Sequence, residues 1–184
     1  MKSIELDYTK ACRDEPTKGH NRWHPDIPPA LEADEGEEVV LQTRNALDGG
    51  VTPNSTPQNM LQTINPNLIH PITGPVYVKG AQPGDLLEVN ILHIDPAPWG
   101  FTVIAPGLGF LRDVFTEPFI AHWNIKDGFA ESQQLPGVRI PGASFMGTLG
   151  VAPSRELMGK MSKREEELRL RGGFVLGPTS EDAV

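Results

Sequence analysis

Apolar and polar positions alternate along this chain in short bursts, and turn-forming residues separate the bursts. Ile4, Leu6 and Tyr8 alternate with polar neighbours, a spacing that predicts a first strand. Val39, Val40 and Leu41 open a second, which runs through Thr43 towards Ala46 and stops at Asp48-Gly49-Gly50. Residues 75–79 (PVYVK) predict a third. The turn Gly80-Ala81-Gln82-Pro83-Gly84-Asp85 follows, with Pro and Gly placed as a type II turn requires. After it comes the clearest strand pattern, 86–94. Leu87, Val89, Ile91 and His93 fall on one face, and Leu86, Glu88, Asn90, Leu92 and Ile94 on the other. Both faces are partly apolar, so a central strand is expected. Further short strands are expected at 101–104, 119–123, 138–140 and 145–151. One stretch has helical spacing, 155–171, with Ser154 as N-cap and Gly172-Gly173 as the stop. Leu157, Met161, Leu168 and Arg171 lie near one stripe of it.

Two stretches read as loop. Residues 12–36 are polar, charged and proline-rich, which works against helix. Trp23 and Ile27 want burial, so this loop is expected to be ordered. Residues 52–62 are polar and loop-like. Short strands with turns throughout and a single late helix predict a mainly β fold, a β-sandwich or irregular barrel with one C-terminal helix. The division expected is a mainly β domain over 1–153, followed by a helix and tail over 154–184.

Composition sharpens this picture. Gly (19) and Pro (18) follow no short period, so they mark turns between strands rather than a collagen-like repeat. The net charge of −8 repels phosphate, which argues against nucleic acid and anionic membranes as partners. The single cysteine, Cys12, can form neither an internal disulfide nor a paired-cysteine metal site, so a reducing cytosol is the simplest compartment. The opening MKSIELDYTK does not read as a signal peptide, and no apolar run approaches the roughly 20 residues of a membrane helix.

Four stretches carry side chains suited to chemistry. In 19–26, His20, His24 and Asp26 lie within seven positions and suit either a divalent metal or an acid–base pair. The same groups also suit tying an irregular loop to its backbone. At the end of the second strand, Asp48 is a candidate ligand or base and Asn45 a candidate for polarising an amide carbonyl, although Asp-Gly is also ordinary turn chemistry. His70 stands beside Pro71 and is either a further ligand or structural. In 139–153 small residues permit close backbone approach, either for an oxyanion hole or for tight packing; Ser144 lacks the glycine elbow of a nucleophilic serine. Cys12 has Arg13 beside it, but Asp14 and Glu15 oppose a lowered thiol pKa.

Taken in order, GHNRWHPDIPP (19–29), TRNALDGG (43–50), NLIHPITGPVYVKGAQPGDLLEVNIL (67–92), GFLRDVF (109–115) and RIPGASFMGTLGVAPS (139–154) resemble the acetamidase/formamidase family, with the first segment closer to the formamidase branch. The resemblance implies a cytoplasmic, homo-oligomeric, mainly β hydrolase that converts formamide or another short aliphatic amide to a carboxylate and ammonia. It also implies a bound divalent metal, Zn or Ca. On it we expect Asp48, Asn45 and His20 as catalytic residues, Trp23 and His70 against the substrate, and His24 and Asp48 as metal ligands. Members of the family are longer, with glycine-aspartate-histidine and glycine-aspartate-glycine-glutamate motifs that these 184 residues lack. The tail is therefore expected to lead into a further portion of the family's sequence. A non-catalytic oligomerisation or small-ligand-binding module is the rival reading, and an amidase of nitrilase type using Cys12 is a third.

Overall fold

The computed structural model describes residues 1–65 and 67–175, so the expected polar tail at 179–184 lies outside the described residues. The strands are β1 (Lys2–Ile4), β2 (Gly19–His20), β3 (Leu31–Ala33), β4 (Val39–Leu41), β5 (Ile72–Thr73), β6 (Val76–Val78), β7 (Trp99–Ile104), β8 (Phe119–Lys126), β9 (Phe129–Glu131) and β10 (Arg139–Pro141). Two α-helices, α1 (Pro57–Thr63) and α2 (Arg155–Leu170), and a 3-10 turn at Cys12–Asp14 complete the elements. The fold is mainly β with a helix late in the chain, as the pattern predicts. Among the described residues no helix is long and apolar enough to cross a membrane.

The chain gathers into two units. The first takes residues 1–49, 65–88 and 148–184. Its strands pair two by two, β1 with β4 and β3 with β6 in parallel and β2 with β5 antiparallel. Ile4, Cys12, Ala33 and Met158 are buried in it. Gly19 is required at β2, because a Cβ there would stand 2.8 Å from the Ile72 carbonyl oxygen of β5. Helix α2 starts on Ser154, whose hydroxyl accepts from the Leu157 amide at 3.1 Å.

The second unit takes residues 50–64 and 89–147. It holds a four-stranded antiparallel sheet in the order β10-β9-β8-β7. β8, the longest strand, buries Ile120, Ala121 and Trp123; Val51 and Met60 are also buried in this unit. The Trp123 indole donates to Thr102 Oγ1 at 2.9 Å, so burial leaves that N–H satisfied. β8 and β9 join through Asp127-Gly128 with φ of 53° and 77°, the positive pair that a tight hairpin turn needs.

Several expectations are corrected. Residues 57–63 form a helix rather than loop. Thr56 caps it by accepting from the Asn59 amide, Asn59 returns the bond to the Thr56 amide, and Pro57 sits where no N–H is needed. This local capping outweighs the polar composition. Residues 86–94 belong to none of the ladders among the described residues, and Leu86, Ile91 and Leu92 are exposed. Residues 145–151 likewise form no strand, and Phe145 and Val151 are exposed. Alternation makes a segment fit for a sheet, but a ladder also needs an adjacent edge. The first and second strands are also shorter than expected, ending at Ile4 and Leu41.

Candidate active site

The loop after β1 and the turn after β4 build one polar network in the first unit. Asn45 makes the turn: its Oδ1 accepts from the Leu47 amide at 2.9 Å, and its carbonyl accepts from the Asp48 amide at 3.0 Å. Asp48 takes a left-handed conformation with φ 48°, which Asp tolerates better than most side chains, and Gly49 continues it at φ 80°. The Asp48 carboxylate is thereby turned inward and is 3% exposed. Its Oδ2 accepts from the Cys12 amide at 2.8 Å, at the head of the 3-10 turn. Its Oδ1 lies 3.8 Å from Arg44 Nη1 and accepts no hydrogen bond among the described residues.

Arg44 is the hub. Its guanidinium donates to the Lys10 and Asp7 carbonyls and pairs with the buried Glu15 carboxylate. Glu15 also accepts from Lys18 at 2.7 Å and from the Asp7 amide at 3.1 Å. The Lys18 contact is the chief reason its pKa lies below the usual carboxylate value. A fixed guanidinium thus ties the loop to the turn that carries Asp48.

A cavity of about 490 Å³ opens beside this network. Cys12, Arg13, His20, Asn21, His24, Asp26 and Asp48 supply its polar and thiol groups, and Pro16, Ile27, Pro28 and Leu68 its apolar wall. His20 is buried, and its Nδ1 has no hydrogen-bond partner among the described residues. Burial holds its pKa below the ordinary imidazole value, with the Arg22 backbone working weakly the other way. The ring is therefore neutral near pH 7. Burial pushes the Cys12 thiol up, and the Asp48 charge adds to that, so a thiolate nucleophile is disfavoured.

His20, His24 and Asp48 come together around this cavity. Trp23 does not line it; its ring meets the His20 edge at 6.1 Å and packs against Gly150, where a Cβ would stand 3.0 Å away. Asn45 and His70 are exposed and line no part of it. Ser144 is also exposed. The sequence assigns no role to Arg44 or Arg22, and none to Glu15 beyond its charge near Cys12. Arg22 donates to the carbonyls of Asn21, Asn67 and Ile69, holding residues 67–69 to the 19–28 loop. The signal available for Arg44 was its spacing four residues before Asp48, which reads equally as an ordinary surface pair.

A divalent metal requires several oxygen, nitrogen or sulfur donors converging on one point. Among the described residues no three His, Cys, Asp or Glu side chains form such a group. His24 Nδ1 is further engaged by the Asp26 amide at 3.1 Å. His24 and Asp48 alone do not fit a resident ion.

Comparison with known proteins places these features in a family. Residues 5–184 match the model of the acetamidase/formamidase family. An acetamidase of Mycolicibacterium smegmatis is 36% identical over 178 residues, covering 90% of this chain and 44% of that protein. A formamidase of Methylophilus methylotrophus is 34% identical, covering 100% of this chain and 48% of its own. Among solved structures, a gamma lactamase from Delftia acidovorans superimposes with a TM-score of 0.85 and 28% identity, over 100% of this chain and 47% of that one. The chain spans less than half the length of the relatives it matches.

Proposed function

The chain belongs to the acetamidase/formamidase family, and on that premise we propose that the cavity beside Asp48 binds and hydrolyses the amide bond of formamide or another short aliphatic amide. One observation carries the reading. His20 and Asp48 line the same cavity, and each carries a buried side-chain atom, His20 Nδ1 and Asp48 Oδ1, that makes no hydrogen bond among the described residues. Unpaired buried polar groups are costly, so such a pair suits a ligand that supplies the missing bonds. A primary amide has N–H donors for the carboxylate. Asp48 Oδ1 accepts one and orients the group, with the Arg44 guanidinium 3.8 Å from that oxygen. Neutral His20 accepts a proton from the attacking water and returns it to the departing nitrogen, leaving a carboxylate and ammonium. Asn45 acts on this site through the Asp48 turn.

Metal assistance remains part of the proposal, with at least one donor needed beyond His24 and Asp48; no step is assigned to an ion. Cytosolic location and homo-oligomeric assembly are proposed with it, on the single cysteine and the family resemblance. A second reading is binding of an amide without turnover, as a small-ligand-binding module built on the same cavity.

Ammonia release from formamide and acetamide, with acetamide binding followed by calorimetry, tests these readings. The expected result is turnover that falls about 100-fold or more in His20→Ala and in Asp48→Asn. Turnover unchanged in both variants overturns the catalytic assignment. Binding with no ammonia released selects the second reading. Activity that survives exhaustive chelation counts against the metal.

A further inference from the structure

The cavity beside Asp48 has more room, and a different charge, than a small neutral amide uses. A water molecule takes about 30 Å³ of liquid, so formamide, with its three heavy atoms, fills roughly a fifth of the 490 Å³. The space falls instead among sites that take larger organic ligands. Its charges are also unevenly matched. Asp26 pairs with Arg155, and Asp48 faces Arg44 at 3.8 Å. Arg13 lines the same cavity, is exposed, and makes no hydrogen bond or ion pair among the described residues. Its neighbour Asp14 is engaged elsewhere, accepting from the Ala11 amide at 3.2 Å. No other lysine or arginine is among the residues that line the cavity. The net charge of −8 works against anions at long range, but contacts at a seated ligand are set by the groups beside it.

Two unmatched groups of opposite kind therefore meet one space. Asp48 Oδ1 lacks a donor, and Arg13 offers donors without an acceptor. They are also close along the chain's own bonds. Arg13 follows Cys12, whose amide holds Asp48 Oδ2 at 2.8 Å, and adjacent Cα atoms are about 3.8 Å apart. A ligand with an amide N–H at one end and an anion at the other satisfies both groups, with Ile27 and Leu68 available to its methylenes. The planar guanidinium fork matches a carboxylate in two-point contact. We infer that Arg13 is a specificity-determining residue that binds a carboxylate, so that the amide preferred here is the monoamide of a short dicarboxylic acid. This rests on the amide reading of the same cavity and adds which amides it favours.

Succinamate and succinamide test it, since they match in size and differ in a carboxylate against a neutral amide. Binding of each is followed by calorimetry, with ammonia release measured in parallel. The expected result is a dissociation constant for succinamate roughly fivefold or more below that for succinamide at low salt. The gap should narrow as salt is raised. Arg13→Gln should bring the two constants within about twofold of each other, and Arg13→Lys, which keeps the charge but loses the fork, should retain part of the gap. Arg13 is exposed and unpaired among the described residues, so its replacement removes no contact that the fold uses. A gap absent in the unaltered chain, or kept in Arg13→Gln, overturns the inference, and ammonia released from succinamide then leaves the amide reading standing. An Arg13-dependent gap with no ammonia from either compound upholds the carboxylate contact and sinks hydrolysis. Binding of neither compound sinks both.

Discussion

The loop at 12–28 keeps the order that its sequence suggests, whereas the segment at 86–94 inverts what its sequence suggests. The first is polar, charged and rich in proline, yet it is held down by Arg44, Arg22 and Glu15 and buries His20 and Cys12. The second alternates as a central strand should, yet it lies outside the ladders of the described residues with Leu86 and Leu92 largely exposed. Order at the first comes from directional bonds to fixed partners a few tens of residues away. Order at the second depends on a neighbouring edge, and apolar side chains alone do not provide one. Polar composition is therefore a poor guide to disorder where a guanidinium can satisfy several acceptors at once.

Several substitutions would break or sharpen this contrast. Asp48→Asn should have the largest effect. It removes the charge that faces Arg44 and the cavity, and turnover should drop by about two orders of magnitude with acetamide binding weakened; a steady-state ammonia assay checks it. Gly150→Val should come next. The added carbon meets the Trp23 ring, and overpacking of this kind costs about 1–3 kcal/mol, read as a lower urea midpoint. A pH effect follows from His20. Its pKa is lower in the folded than in the unfolded chain, so the stability linked to it is fully present above the unfolded value of 6.5 and is lost as pH falls through the folded value. Acidification below pH 6.5 should lower the urea midpoint, and His20→Gln should flatten that slope. Ile91→Ser should do least, changing the stability of this chain alone by no more than about 0.5 kcal/mol, because the side chain is already half in water. A large loss there would show that 86–94 is packed in the isolated chain, and the contrast would fail.

Part of the candidate site is legible in the sequence. His20, His24 and Asp48 were candidates on residue type and position, and they do border one cavity. Trp23, Asn45 and His70 were candidates on the same grounds and lie off it, because type and spacing do not say which way a side chain points. The hub role of Arg44 is not legible in the sequence because its partners, from Asp7 to Asp48, are scattered along it. The short helix Pro57–Thr63 was missed although Thr56, Pro57 and Asn59 spell a capping signal; the polar composition masked it.

What the sequence determined alone is local. Alternation gave a mainly β chain, Ser154 and Gly172-Gly173 bracketed the late helix, and an ordered set of motifs gave the family. The tertiary structure decided which alternating segments became strands and which polar groups were left unpaired. A turn or a cap is fixed by contacts within a few residues. A ladder, a cavity and an unpartnered carboxylate oxygen depend on what distant parts of the chain bring beside them.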